Sequence, residues 1–101
     1  MKDPIEKFYD ALSKKIQAKR KEKELTQEVV AKALGLSRPT LANLENGDHR
    51  LLAHHLLELC ILLDLDILEI TNQYRSFKME KEMKKLPTSI LDALKNIKTK
   101  E

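Results

Sequence analysis

The side chains of this 101-residue chain that could do chemistry are not arranged for catalysis. His49, His54, His55 and Cys60 are the residue types of a metal site. Adjacent side chains on a helix point about 100° apart, so His54 and His55 do not converge easily on one ion, and no metal is expected. Cys60 sits between Leu59 and Ile61, apolar neighbours that raise a thiol's pKa and weaken it as a nucleophile. There is no glycine-rich phosphate loop and no Ser/His/Asp constellation, and the carboxylates are interspersed with lysines. Neither catalytic residues nor a cofactor is expected, and the chain does not read as an enzyme. A different chemistry is offered between residues 38 and 43. The Arg38 guanidinium can bond O6 and N7 of guanine together, and the Asn43 carboxamide suits N6 and N7 of adenine. Pro39 offers apolar contact alone. Thr40 can reach a phosphate or a thymine methyl.

Such side chains matter only if a scaffold holds them out. Apolar spacing is helical throughout, with no sustained period-2 run. A first helix is expected over 4–23, with Asp3 as N-cap, Pro4 in the first position, and Ile5, Phe8, Leu12, Ile16 and the Lys19 stem turned inward. Thr26 opens a second helix, 26–34, with Val29, Val30 and Ala33 inward, and Gly35 supplies its left-handed end. Ser37 caps a third, 38–45, which tolerates Pro39 in its first turn, buries Leu41 and Leu44, and stops at Asn46-Gly47. Ala31, Leu34, Leu36 and Leu41 can fill the corner between these two helices. After the polar loop Asp48-His49-Arg50, a fourth helix runs from Leu52 to Leu63. Asp66 starts a fifth, with Glu69 completing a capping box and Ile67, Leu68 and Ile70 on its apolar face. Beyond Thr71 the stripe of Tyr74, Phe77, Met79, Met83 and Leu86 either extends this helix or forms a separate arm. Pro87 breaks it, and Ser89 to Lys98 reads as a short helix with Ile90, Leu91, Leu94 and Ile97 on one face. The expected organisation is a domain over 1–71 and a basic amphipathic arm over 72–101.

Composition agrees with a small helical protein. Glycines number 2, prolines 3 and aromatics 4 per cent, while charged residues make up 35%. The single cysteine excludes an internal disulfide and fits a reducing, cytoplasmic setting. The first apolar stretch is broken by Glu6, Lys7 and Asp10, so no secretory leader is expected, and Leu56 to Ile70 holds four carboxylates, too many for a membrane span. The net charge of +3 divides into +3 over residues 1–25, −4 over 26–71 and +4 over 72–101. An acidic middle is unusual beside phosphates. Its carboxylates Glu58, Asp64, Asp66 and Glu69 fall after the third helix, whereas Lys19, Arg20, Lys21, Lys23, Lys32, Arg38 and Arg50 gather near it.

Two short helices joined by a tight glycine turn have the geometry of a helix-turn-helix. Residues 16–70 resemble the phage-repressor/Cro (XRE-like) family of such domains. The likeness rests on Arg20, the run Leu25-Thr26-Gln27-Glu28-Val29-Val30-Ala31, then Leu34-Gly35-Leu36-Ser37, Leu41, Leu44-Glu45-Asn46-Gly47, and Leu59 to Leu63. It implies an all-α, five-helix lambda-repressor-like domain, here with an added C-terminal helical arm. It also implies residue roles. Arg38, Pro39, Thr40 and Asn43 match the base-reading positions. Gln27, Ser37, Asn46 and Arg50 match positions that hold DNA phosphates. Arg20 and Glu45 match an ion pair beside the DNA boundary, and Cys60 stands where the family packs a small alanine. Two departures bear on loop paths: Asp64 replaces a usual glycine, and Leu51-Leu52 replace a small hydroxyl residue or proline before helix four.

The resemblance implies a sequence-specific binder of double-stranded DNA, a repressor of transcription reading a palindromic operator as a homodimer. Leu65, Ile67 and Leu68 are expected at the dimer interface, or Phe77, Met83, Ile90, Leu91, Leu94 and Ile97 of the arm. Two alternatives share the fold: an antitoxin whose arm neutralises a toxin partner, and a protein-interaction module that no longer binds DNA. No membrane partner is expected.

Overall fold

A computed structural model describes residues 2–48 and 51–84, and only the backbone of Lys84. Five helices follow in order: α1 (Pro4–Glu22), α2 (Gln27–Leu34), α3 (Arg38–Glu45), α4 (Ala53–Leu63) and α5 (Ile67–Lys84). The described residues contain no strand, and none of their helices is long and apolar enough to cross a membrane. The expected helix at 89–98 lies outside them.

Local chemistry starts these helices where polar caps stand. Asp3 accepts from the Glu6 N–H at 2.8 Å, and Thr26 Oγ1 from the Val29 N–H at 3.2 Å. At α5, Asp66 Oδ1 accepts from the Leu68 N–H at 2.9 Å, but the expected reciprocal cap does not form. Glu69 turns instead to Lys15 on α1, 2.5 Å away. α5 then runs unbroken through residues 71 and 72.

Four helices end alike, with a left-handed residue and a backbone bond reaching five residues back; at the end of α3 this is Gly47 (φ 102°), with the Asp48 N–H on the Asn43 carbonyl at 3.0 Å. Gly35 (φ 71°) lets the Leu36 N–H reach the Ala31 carbonyl at 2.8 Å. Glu24 and Asp64, both at φ 57°, do the same for Leu25 onto Arg20 (3.0 Å) and Leu65 onto Cys60 (2.9 Å). A side chain in this conformation costs about 1–2 kcal/mol, partly offset by the entropy glycine adds to the unfolded chain. Asp64→Gly is therefore expected to stabilise the protein by up to about 1 kcal/mol in urea unfolding, and a loss of stability would show that Asp64 contributes contacts that outweigh its strain.

The core is formed by Leu12, Ile16, Val30, Ala31, Leu34, Leu41, Leu59, Leu63, Leu65 and Ile70. α5 lies against α1, with the Tyr74 ring edge-on to Phe8 at 5.2 Å. Several expected orientations are corrected. Ile5 is 49% exposed rather than inward, because α1 meets α5 through Phe8 and the core through Leu12 and Ile16. On α2, Val30, Ala31 and Leu34 face the core, while Val29 and Ala33 are exposed; closure of the Gly35 turn onto Ala31 fixes that phase. Leu68 is 69% exposed, so Ile70 alone of the expected α5 trio is buried. Leu65 is 8% exposed and belongs to the core, drawn in by its bond to Cys60, so it is not free to form an interface.

Candidate nucleic-acid interface

The exposed start of α3 is organised by its own cap. Ser37 Oγ accepts from the Thr40 N–H at 3.2 Å and shares a 2.7 Å hydrogen bond with the Thr40 hydroxyl. This satisfies one of the amides a helix start leaves unpaired and pins the first turn. Arg38, Pro39, Thr40 and Asn43 are all exposed, while Leu41 and Leu44 anchor the opposite face. All four residues of the expected base-reading set therefore stand exposed on one short helix.

Behind α3 lies an ion pair. Arg20 Nε donates to Glu45 Oε2 at 2.7 Å and Arg20 Nη2 to Glu45 Oε1 at 3.0 Å, a two-pronged geometry with both residues buried. Arg20 Nη1 also donates to the Leu25 carbonyl at 2.8 Å. The guanidinium thus ties the end of α1, the start of α2 and the end of α3 together. Being buried, Arg20 is not one of the surface cations facing a ligand. Lys21, Lys23, Lys32 and Arg38 are the exposed ones.

Gln27 joins the same network, a link that no spacing pattern signals. Its Nε2 donates to Glu45 Oε1 at 3.1 Å, and its side chain is half-buried. A carboxamide nitrogen carries two hydrogens, so a second remains for a phosphate oxygen. Asn46 is exposed at the end of α3, its N–H bonded to the Ala42 and Asn43 carbonyls at 3.1 Å. Arg50, expected to hold phosphate, lies outside the described residues.

The residues considered for other chemistry are elsewhere. The His54 and His55 rings come within 4.2 Å, closer than their helical offset suggested, but no group of three or more metal-ligating residues occurs among the described residues. Burial, with Asp66 adding to it, raises the Cys60 thiol above its ordinary pKa, which weakens it as a nucleophile.

Residues 16–70, slightly over half the chain, match a family model described as Helix-turn-helix. The chain is also similar to the ImmF control region 10 kDa protein of Bacillus phage phi105, with 46% identity over 52 residues. The match covers 52% of this chain and 58% of that protein, so the chain spans under two thirds of its relative's length. No solved structure matches.

Proposed function

Because the chain belongs to the helix-turn-helix family of the phage-repressor (XRE) type, we propose that it is a DNA-binding transcriptional regulator, a repressor that reads its operator through α3. The observation that carries this reading is the exposed quartet Arg38, Pro39, Thr40 and Asn43 on a helix locked from behind by the buried Arg20–Glu45 pair. A major groove about 12 Å wide admits one helix, and base recognition needs that helix held still. Arg38 bonds guanine, Asn43 bonds adenine, and Gln27, Ser37 and Asn46 contact phosphate on either side. The relative's name places it in a phage control region, which supports a regulatory role.

One such helix reads only a few base pairs, so useful specificity calls for two half-sites and a homodimer. Ile67 and Leu68, 38% and 69% exposed, are the surface to form it. The test is selection from random duplex DNA. Enrichment of a two-fold symmetric site, its halves about one helical turn (10–10.5 base pairs) apart, is the expected result. Equal retention of every sequence would leave only phosphate attraction and end the regulatory reading.

A further inference from the structure

Ser37 and Thr40 stand exposed at the start of α3 with their hydroxyl oxygens 2.7 Å apart. Ser37 Oγ also accepts from the Thr40 N–H at 3.2 Å. A hydroxyl has one hydrogen and two lone pairs, so one of the pair's two hydrogens lies between the oxygens and one is left for a ligand. Two arrangements place that hydrogen differently. When Thr40 donates to Ser37, both Ser37 lone pairs are taken, the Ser37 hydrogen is free, and Thr40 has only lone pairs to offer. When Ser37 donates to Thr40, Ser37 has no hydrogen to give and Thr40 has one.

A phosphate discriminates between the two. Its oxygens accept hydrogen bonds and donate none, so it binds the Ser37 hydroxyl only in the first arrangement. The first turn of α3 has few other donors. Of the three amides after the cap, Pro39 has none and that of Thr40 is taken by Ser37, which leaves the Arg38 N–H. An anion drawn to the positive end of α3 therefore depends on the Ser37 hydrogen.

We propose that phosphate bound at Ser37 fixes Thr40 as a hydrogen-bond acceptor, and that Thr40 thereby selects a base with an exocyclic amino group. The inference rests on the operator reading above, in which Ser37 meets the backbone and Thr40 the bases. In the major groove adenine offers N6–H and cytosine N4–H, whereas guanine O6 and N7 and thymine O4 only accept. Adenine or cytosine beside Thr40 lets both contacts form at once. Guanine or thymine there sets acceptor against acceptor, and turning the shared hydrogen round to relieve the conflict breaks the phosphate bond.

The test is titration of the full chain with the duplex enriched from random DNA, varied to all four base pairs at each position. Thr40→Val keeps the shape of the side chain without its hydroxyl, and the position where it flattens the preference is the one Thr40 reads. Base analogues then give the polarity. Removing the exocyclic amino group at that base pair should weaken wild-type binding about tenfold and Thr40→Val binding less than about twofold. Removing the keto oxygen from the opposite base should affect both proteins alike. Two Ser37 variants test the coupling. Ser37→Asp still caps the helix and accepts from Thr40 but repels phosphate. It should weaken binding to every sequence and keep the roughly tenfold preference for the wild-type pair over its reversed form. Ser37→Ala frees Thr40 to donate, and that preference should shrink to less than about threefold. Dependence on the keto oxygen instead of the amino group, no effect of Thr40→Val at any position, or a preference unchanged by Ser37→Ala would overturn the inference. Each of these leaves a sequence-specific protein, whereas equal binding of all duplexes by the wild type would be the failure of the operator reading itself.

Discussion

Glu45→Ala is expected to cost about 3–5 kcal/mol of folding stability, the range found when one member of a buried ion pair is removed. The Glu45 side chain is 1% exposed and that of Arg20 10%, so water cannot easily replace the lost carboxylate. Two Arg20 nitrogens would lose their acceptor, and the Gln27 amide would lose its own. Domains of this size hold about 5–15 kcal/mol in all, so the variant should show a much earlier urea midpoint or be partly unfolded without denaturant. A cost below about 1 kcal/mol would mean that the pair behaves like an exposed one.

The double replacement Arg20→Met with Glu45→Leu separates stability from positioning. With both charges gone, no ion is left buried without a partner, so stability should return to within about 1–2 kcal/mol of the starting protein. The ties from α3 to Gln27 and from Arg20 to the Leu25 carbonyl would still be missing. A protein that refolds but binds its operator less tightly is the expected result, because the network sets where α3 stands as well as whether the domain folds.

Part of this architecture was legible because it is local. Ser37 capping Thr40, the left-handed Gly35 and the span of α3 each depend on neighbours a few residues apart. The inward face of α2 was not, since Val29, Val30, Ala31, Ala33 and Leu34 offer several apolar phases within eight residues. Tertiary closure at the turn, with Leu36 bonded to Ala31, selects among them. Leu65 was expected at a dimer interface with Ile67 and Leu68, yet the backbone bend at Asp64 folds it inward. The Arg20–Glu45 pair joins positions 25 apart, and family likeness rather than periodicity pointed to it. The Gln27 bond to Glu45 depends on side-chain rotamers, which no spacing rule encodes.

Arg38→Ala and Asn43→Ala are expected to lower operator affinity by about 1–3 kcal/mol each, or about 5- to 150-fold. Both residues are exposed, and alanine suits a helix, so folding stability should move by less than about 0.5 kcal/mol. An affinity loss in these variants therefore reports contact with DNA rather than damage to the domain. If each side chain reads its own base pair, preference should relax at one position per variant, and the two losses should add in the double variant. Asn46→Ala, at an exposed residue outside the Arg20–Glu45–Gln27 network, supplies the contrast. A phosphate contact carries no sequence information, so its loss should weaken all sequences alike. The measurement is a titration of operator and scrambled duplex at several salt concentrations. If Arg38→Ala and Asn43→Ala weakened operator and scrambled DNA by the same factor, α3 would be holding the backbone, and base reading would have to be sought on another surface of the domain.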